Sequence, residues 1–335
     1  MRALSVASIR SNAYAAAGIT LTPADAVTLV GSGAVLSGLS TAQIATFDAR
    51  GVDRIDATDN TLSISLAKSN AYATAGIALN AADVVTLADT GAVLTGLTTA
   101  QFATLDARGV DVLDATDNAV TFTIAEFDAL LRTGLSLSAG DTVTLTDRAS
   151  AISALAPAEI ESLVSLGLDR VDVAGDGITL DLARYEAFKG VRFAEGDTLT
   201  VVGGGKADAI VSRGADMILD GNGGKDRLVG GAGDDTFLFD TRLGADNFDT
   251  ITSFNVKFDH VELDNSIFKA LKAGVLSAKA FFVGQSAEDA ADRIIYDKKT
   301  GALFYDRDGD GDAAAVKFAV VKKGLALDHD DFFIV

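Results

Sequence analysis

Apolar and polar positions over the first 200 residues recur in a fixed order, and the recurrence is closest at an offset of 58 residues. SNAYAAAGI at 11–19 returns as SNAYATAGI at 69–77, GAVLSGLSTAQ at 33–43 as GAVLTGLTTAQ at 91–101, and ARGVDRIDATDN at 49–60 as ARGVDVLDATDN at 107–118. A looser third copy takes Gly76 to Gly134, DVVTL at 83–87 to DTVTL at 141–145, and GVDVLD at 109–114 to GLDRVD at 167–172. A partial fourth follows, in which EGDTLTV at 195–201 echoes AGDTVTL. Within one copy, TTAQFATLDARG at 98–109 spaces Phe102, Leu105 and Val110 as a helix does. It ends in Gly109, a residue suited to the left-handed backbone after a helix terminus. VDVLDATD at 110–117 places Val110, Val112 and, less cleanly, Leu113 in a strand-like alternation. The other half repeats the plan, with a short helix ending at Gly76 and a strand at Val84–Leu87. Thr58, Asp59 and Asn60, like Thr116, Asp117 and Asn118, read as turn residues. Each helix-plus-strand segment is about 29 residues long, at the upper end for leucine-rich-type repeats. The expectation for residues 1–202 is an α/β solenoid, with a continuous parallel sheet on one side and short helices on the other.

From residue 203 the period shortens to nine. GGAGDDTFL at 230–238 satisfies every fixed position of the pattern G-G-x-G-x-D-x-U-x, where U is a large apolar residue. GNGGKDRLV at 221–229 departs only at Asn222. GGGKADAIV at 203–211 carries Lys206 in place of a glycine, and SRGADMILD at 212–220 has Met217 at the aspartate position. Six residues make a turn in which glycine reaches backbone regions closed to other residues, and three make a strand with its central apolar side chain inward. Ile210, Leu219, Leu228 and Phe237 hold that place at a strict interval, which a flexible linker has no need of. Aspartates 18 apart, such as Asp208 and Asp226, then fall on one edge. Carboxylates and glycine-turn carbonyls there offer the six to eight hard oxygens that Ca²⁺ prefers.

This stretch resembles the RTX, or hemolysin-type, family of calcium-binding proteins, whose nonapeptides wind into a parallel β-roll. The resemblance makes Asp226 and Asp235 the leading ligands, then Asp208, with carbonyls from Gly203, Gly205, Gly221, Gly223, Gly230 and Ala232. Met217 removes one carboxylate from the site expected to pair with Asp235.

TFLFD at 236–240, DTITSF at 249–254, the run at 292–321 and the terminal DFFIV resemble the region that follows such repeats in serralysin-type proteases and related type I secreted proteins. In that family the region carries an uncleaved secretion signal read by an ABC transporter. This implies export without an N-terminal signal, and MRALSVASIR indeed has no apolar stretch leading to a small-residue cleavage site. Phe332, Phe333, Ile334 and Val335 behind Asp330 and Asp331 fit the secretion pattern, and equally a buried terminal strand. Read from the residues themselves, Ile294–Tyr296 and Ala302–Tyr305 form a hairpin around KKTG, with a third strand at Val316–Val321. Asp306, Asp308, Asp310 and Gly311 imitate an EF-hand opening, but the twelfth position is Lys317, so an acidic hairpin loop is expected instead, with a weak extra Ca²⁺ site as the alternative.

Composition separates the two regions and narrows the chemistry. Lys68 and Lys189 are the only lysines before residue 203, and 12 of 18 phenylalanines follow residue 236. With 28 basic and 47 acidic residues the net charge is −19, which disfavours nucleic acid and anionic membrane surfaces. No window supplies the roughly 20 apolar residues of a membrane span, so no membrane insertion is expected. There is no Cys, which removes disulfides, thiol nucleophiles and zinc–thiolate sites. The serralysin resemblance does not extend to catalysis: His260 and His329 are the only histidines and form no H-E-x-x-H. Ser65–Lys68 spells S-x-x-K and Lys299–Gly301 spells K-T-G, yet S-D-N is missing. No G-x-S-x-G elbow or P-loop occurs.

The expectation is therefore a non-enzymatic, secreted, extracellular calcium-binding protein. It has an α/β solenoid at 1–202, an RTX β-roll at 203–238 and a mainly-β capping and secretion domain at 239–335. Its partners are calcium ions and, during export, the type I ABC transporter. A cell-surface or self-association role, as in an adhesion or surface-layer protein, is the rival expectation. The other is a C-terminal fragment of a larger secreted enzyme, since the first repeat begins with no polar capping segment.

Overall fold

The computed structural model describes residues 2–5, 26–175, 177–214 and 216–335. The first SNAYAAAGI segment lies outside them. The chain is a mixed α/β fold with several parallel sheets and, among the described residues, nine short α-helices of four to nine residues. The described residues fall into two compact units, one within Met1–Thr146 and Ser162–Arg170, the other within Asp147–Glu161 and Val171–Val335. Residues 171–202, read from the sequence with the first region, thus belong to the second unit.

In the first unit the helices lie where the apolar spacing and the glycine stops place them. Gln101 Oε1 accepts the Thr98 backbone N–H at 2.8 Å and opens the helix Thr99–Ala107, which buries Phe102 and Leu105. Gly109 follows at φ 82° and Gly76 ends the helix Leu66–Thr74 at φ 66°, both in the left-handed region that costs glycine least. The strands pair in parallel, but not as one continuous sheet. Arg2–Ser5, Val27–Gly31, Arg54–Ala57 and Ala78–Leu79 form one four-stranded sheet; Thr61–Ile64, Val84–Asp89, Val112–Ala115 and Ser136–Leu137 form another. The cause is the Thr58–Asn60 turn. Asn60 takes φ 53°, and its copy Asn118 takes φ 57°, so the chain turns sharply and the strand beyond joins a different sheet. Within Val112–Ala115 the inward residues are Leu113 and Ala115, whereas Val112 is half-buried, because Val110 packs at the helix end before the strand begins.

The second unit contains two seven-stranded sheets between which successive strands alternate. Ala209–Val211, Arg227–Val229, Asp249–Thr252 and Val316–Val320 run parallel in one; Thr198–Val202, Met217–Asp220, Thr236–Phe239, His260–Leu263 and Phe332–Ile334 run parallel in the other. Ile210 lies opposite Leu228, and Leu219 opposite Phe237, a step of 18 residues in each sheet. The step then lengthens: Leu228 faces Ile251 and Phe237 faces Val261. All six of these side chains are buried, forming the core between the glycine corners.

The anticipated hairpin is present, with Ile294–Asp297 antiparallel to Ala302–Tyr305 and the latter antiparallel to Val316–Val320. Phe268 and Phe318 pack edge to face at 5.4 Å, and Phe318 does the same with Phe239 at 5.2 Å. Phe332 and Ile334 are buried in the terminal strand.

Candidate metal centre

Aspartates two positions ahead of an inward apolar strand residue share one hydrogen-bonding habit throughout the chain. In the first unit Asp53, Asp83, Asp111, Asp141 and Asp169 accept the backbone N–H of Val27, Ala57, Val85, Ala115 and Val143, at 2.7 to 2.9 Å. In the second unit Asp197 accepts from Val173, Asp226 from Asp208, Asp235 from Met217, Asp249 from Asp226 and Asp259 from Asp235, at 2.7 to 3.3 Å. Each carboxylate satisfies an amide on the preceding strand of the stack. Such charge-assisted bonds explain why acids stand at the start of strands, whether exposed as Asp53, Asp111 and Asp169 are or buried as the other seven are.

In the first unit this fastening gives five aspartates a structural role. Beyond the glycine corner in the second unit the same fastening brings carboxylates together. Asp226 Oδ2 and Asp249 Oδ2 both face Gly221: a Cβ there would lie 2.6 Å from the first and 2.8 Å from the second. Asp235 Oδ2 and Asp259 Oδ2 face Gly230 in the same way, at 2.9 and 3.4 Å from a Cβ. Asp226, Asp235, Asp249 and Asp259 are all buried, and Asp235 is fully so. Asp226 Oδ2 and Asp235 Oδ2 make no hydrogen bond. A buried carboxylate oxygen without a donor is costly, and two carboxylates side by side more so.

The proton affinities follow from this geometry. Burial, then the neighbouring Asp259 charge, raises Asp235 to about 7. Burial likewise raises Asp226 and Asp249, with Asp208 adding to the first and Asp226 to the second. Asp259 is raised chiefly by burial, and Asp220, beside Gly221 in sequence, rises to about 6 for the same reason. Crowded and buried, these carboxylates hold a proton more tightly than free aspartates do.

Among the residues singled out from sequence, Asp208 is half-buried, with its Oδ2 bonded to Gly204 N–H at 2.6 Å, and it lies in register with Asp226. The Gly221 carbonyl approaches Gly203, and Gly223 stacks on Gly205, where a Cβ on Gly223 would lie 3.7 Å from the Gly205 Cα. Gly230 forms the second corner, and Ala232 is exposed in the loop before Asp235. Met217 gives Asp235 its amide rather than a carboxylate, while its side chain is buried against the Tyr185 hydroxyl at 3.6 Å. Asp249 and Asp259 were not singled out, because they lie outside the nine-residue glycine spacing. Their signal is the aspartate–x–apolar triplet: Asp249-Thr250-Ile251 and Asp259-His260-Val261 continue the series Asp226-Arg227-Leu228 and Asp235-Thr236-Phe237.

The acidic hairpin loop closes on itself. Asp306 accepts the N–H of Asp308 and Gly309, Asp308 accepts that of Ala313, and the Lys317 ammonium rests 3.5 Å from the Phe248 ring. Among the described residues no three His, Asp or Glu side chains converge on one point; the Gly221 and Gly230 corners hold two carboxylates each, and the Phe237 ring also reaches the second. No helix among the described residues is long and apolar enough to cross a membrane. No protein-family model matches the chain, and no curated protein matches it either.

Proposed function

We propose that the second unit is a calcium-binding β-roll and that the chain is a secreted protein whose folding is locked by Ca²⁺. The observation that carries this reading is the pairing of buried aspartates on glycine corners, Asp226 with Asp249 and Asp235 with Asp259, each pair holding an oxygen that no protein donor satisfies. Ca²⁺ accepts carboxylate and carbonyl oxygens in a flexible shell, so two carboxylates, the corner carbonyls and water suit it better than the tight octahedron of Mg²⁺. Asp208 and the carbonyls of Gly203, Gly205, Gly221, Gly223, Gly230 and Ala232 complete the donor set under this reading.

The alternation of strands between two sheets, at a step of 18 residues, is the winding expected of a roll built from nonapeptides. Where Ca²⁺ is scarce, carboxylate repulsion and the ordering entropy of glycine oppose that winding; where it is plentiful, binding energy becomes folding energy. Extracellular modules bind Ca²⁺ with dissociation constants of about 10⁻⁴ to 10⁻³ M, so a chain exported unfolded through a type I channel would fold on arrival outside.

Circular dichroism and thermal unfolding of the full chain, in 5 mM-range Ca²⁺ (about tenfold above such a constant) and in chelator, test the reading. A higher midpoint and more ordered strand signal in Ca²⁺ are expected. Superimposable spectra and midpoints would refute it.

A further inference from the structure

Three cations meet at one hollow of the second unit, in a chain that carries 47 acidic residues against 28 basic ones. Arg242 comes from the loop after Thr236–Phe239, Lys269 from the turn after His260–Leu263, and Arg307 from the loop after Ala302–Tyr305. Each of these segments is fixed by a hydrogen bond of its own. Asn247 Nδ2 donates to the Arg242 carbonyl at 2.9 Å, the Ala270 N–H to the Tyr305 hydroxyl at 2.8 Å, and the Asp306 N–H to the Arg293 carbonyl at 2.8 Å. All three cationic residues are exposed, and none of their side chains has a hydrogen bond or an ion pair among the described residues.

The hollow measures about 630 Å³, within the range of small-molecule sites. Leu243, Ile267 and Val316, each half-buried, give it an apolar wall. Among the described residues no carboxylate lines it. Asp264, Asp306 and Asp308, which stand near two of the cations in sequence, instead accept the backbone N–H groups of Ser266, Gly309 and Ala313, at 2.6, 3.1 and 3.1 Å. A hollow lined by one sign of charge concentrates counter-ions. An acidic protein would bring many charges against a chain of −19, whereas a small anion brings one or two. Cations arriving from three segments suit a head with three outer oxygens better than a planar carboxylate with two, and the arginine fork matches such a head.

We propose that this hollow binds a small amphipathic anion, a sulfate or phosphate monoester. Its tetrahedral head lies on Arg242, Lys269 and Arg307, and its apolar body lies against Leu243, Ile267 and Val316. None of these residues belongs to the Gly221 and Gly230 corners, so the site stands apart from the calcium reading.

Ligand-observed saturation-transfer NMR and calorimetry on the full chain in Ca²⁺ test it with three probes: hexyl sulfate, inorganic sulfate as the head alone, and hexanol as the body alone. Hexyl sulfate should bind saturably at about 1 mM or tighter, and at least about tenfold tighter than either part. Arg242→Gln and Arg307→Gln remove exposed side chains without protein partners, and each should weaken hexyl sulfate at least about fivefold. Lys322→Gln, at an exposed lysine outside the hollow, should leave it within about twofold. No saturable binding of hexyl sulfate up to about 10 mM, inorganic sulfate binding as tightly, or equal affinities in wild type and the arginine variants would overturn the proposal. Displacement of hexyl sulfate by an equimolar hexaglutamate peptide would overturn it too, by assigning the hollow to an acidic protein partner.

Discussion

Gly221 concentrates the physics of the candidate centre in one missing side chain. A Cβ at this position would intrude between Asp226 Oδ2 and Asp249 Oδ2, whereas at Gly205, eighteen residues or more from either acid, a Cβ meets nothing within 4 Å. Gly221→Ala should therefore cost about 1–3 kcal/mol in chemical denaturation and weaken the response to Ca²⁺ by the share of the Asp226–Asp249 corner, while Gly205→Ala should change neither by more than about 0.5 kcal/mol. Both variants keep their carbonyls, so the comparison isolates the space between the carboxylates. The aspartates themselves make a second test. Asp235 is held at about 7 by burial and by Asp259, and Asp220 at about 6 by burial, against an ordinary value of 3.8. Folded, these groups bind protons more tightly than unfolded, so their contribution favours the metal-free fold below about pH 4 and is lost as pH rises through 6 and 7. The gap between the melting temperatures in Ca²⁺ and in chelator should thus widen from pH 5 to pH 7.5. A gap independent of pH would count against the carboxylate pairs.

At the scale of elements, the short helices of the first unit could be read directly. The spacing of Phe102 and Leu105 and the glycine stop at Gly109 agree with one another, and both are local; the Thr98–Gln101 start that the structure adds is local as well. Sheet membership was not legible, because it depends on the turn at Asn60 and Asn118, whose left-handed backbone sends neighbouring strands into different sheets. The candidate centre was half legible for a related reason. Glycine spacing marked Asp226 and Asp235, but their partners Asp249 and Asp259 arrive after longer loops, in which the glycines are gone and only the aspartate–x–apolar triplet survives. That triplet is the element-level device that fastens one strand to the next. Asp111→Ala would strand the Val85 N–H, now bonded at 2.7 Å, and should cost about 1–3 kcal/mol; Asp111→Asn retains an acceptor and should cost less. Equal losses in urea denaturation would show that the charge, not the hydrogen bond, matters there.

Over the whole molecule, the charge of −19 resolves into two uses. In the first unit Asp53, Asp111 and Asp169 each give one oxygen to a backbone amide, and Asp83 and Asp141 do the same while their Oδ1 stays buried and unpartnered with no second carboxylate turned on the same glycine. In the second unit the same bonds leave Asp226 Oδ2 and Asp235 Oδ2 over, facing another carboxylate. Calcium should therefore stabilise the second unit far more than the first. Hydrogen exchange in Ca²⁺ and in chelator should show added protection across Ala209–Val211, Arg227–Val229 and Asp249–Thr252, with the helix Thr99–Ala107 unchanged. Uniform protection over both units would argue against a local site.

The most direct measurement is a calorimetric Ca²⁺ titration of the full chain at pH 7.5, beside the double variant Asp235→Asn/Asp259→Asn. Saturable binding is expected for the wild type, with the Gly230 corner silenced and the stoichiometry reduced in the variant. No saturable heat up to about 10 mM Ca²⁺, well above the range of extracellular modules, or an isotherm unchanged by removing both carboxylates, would contradict the account.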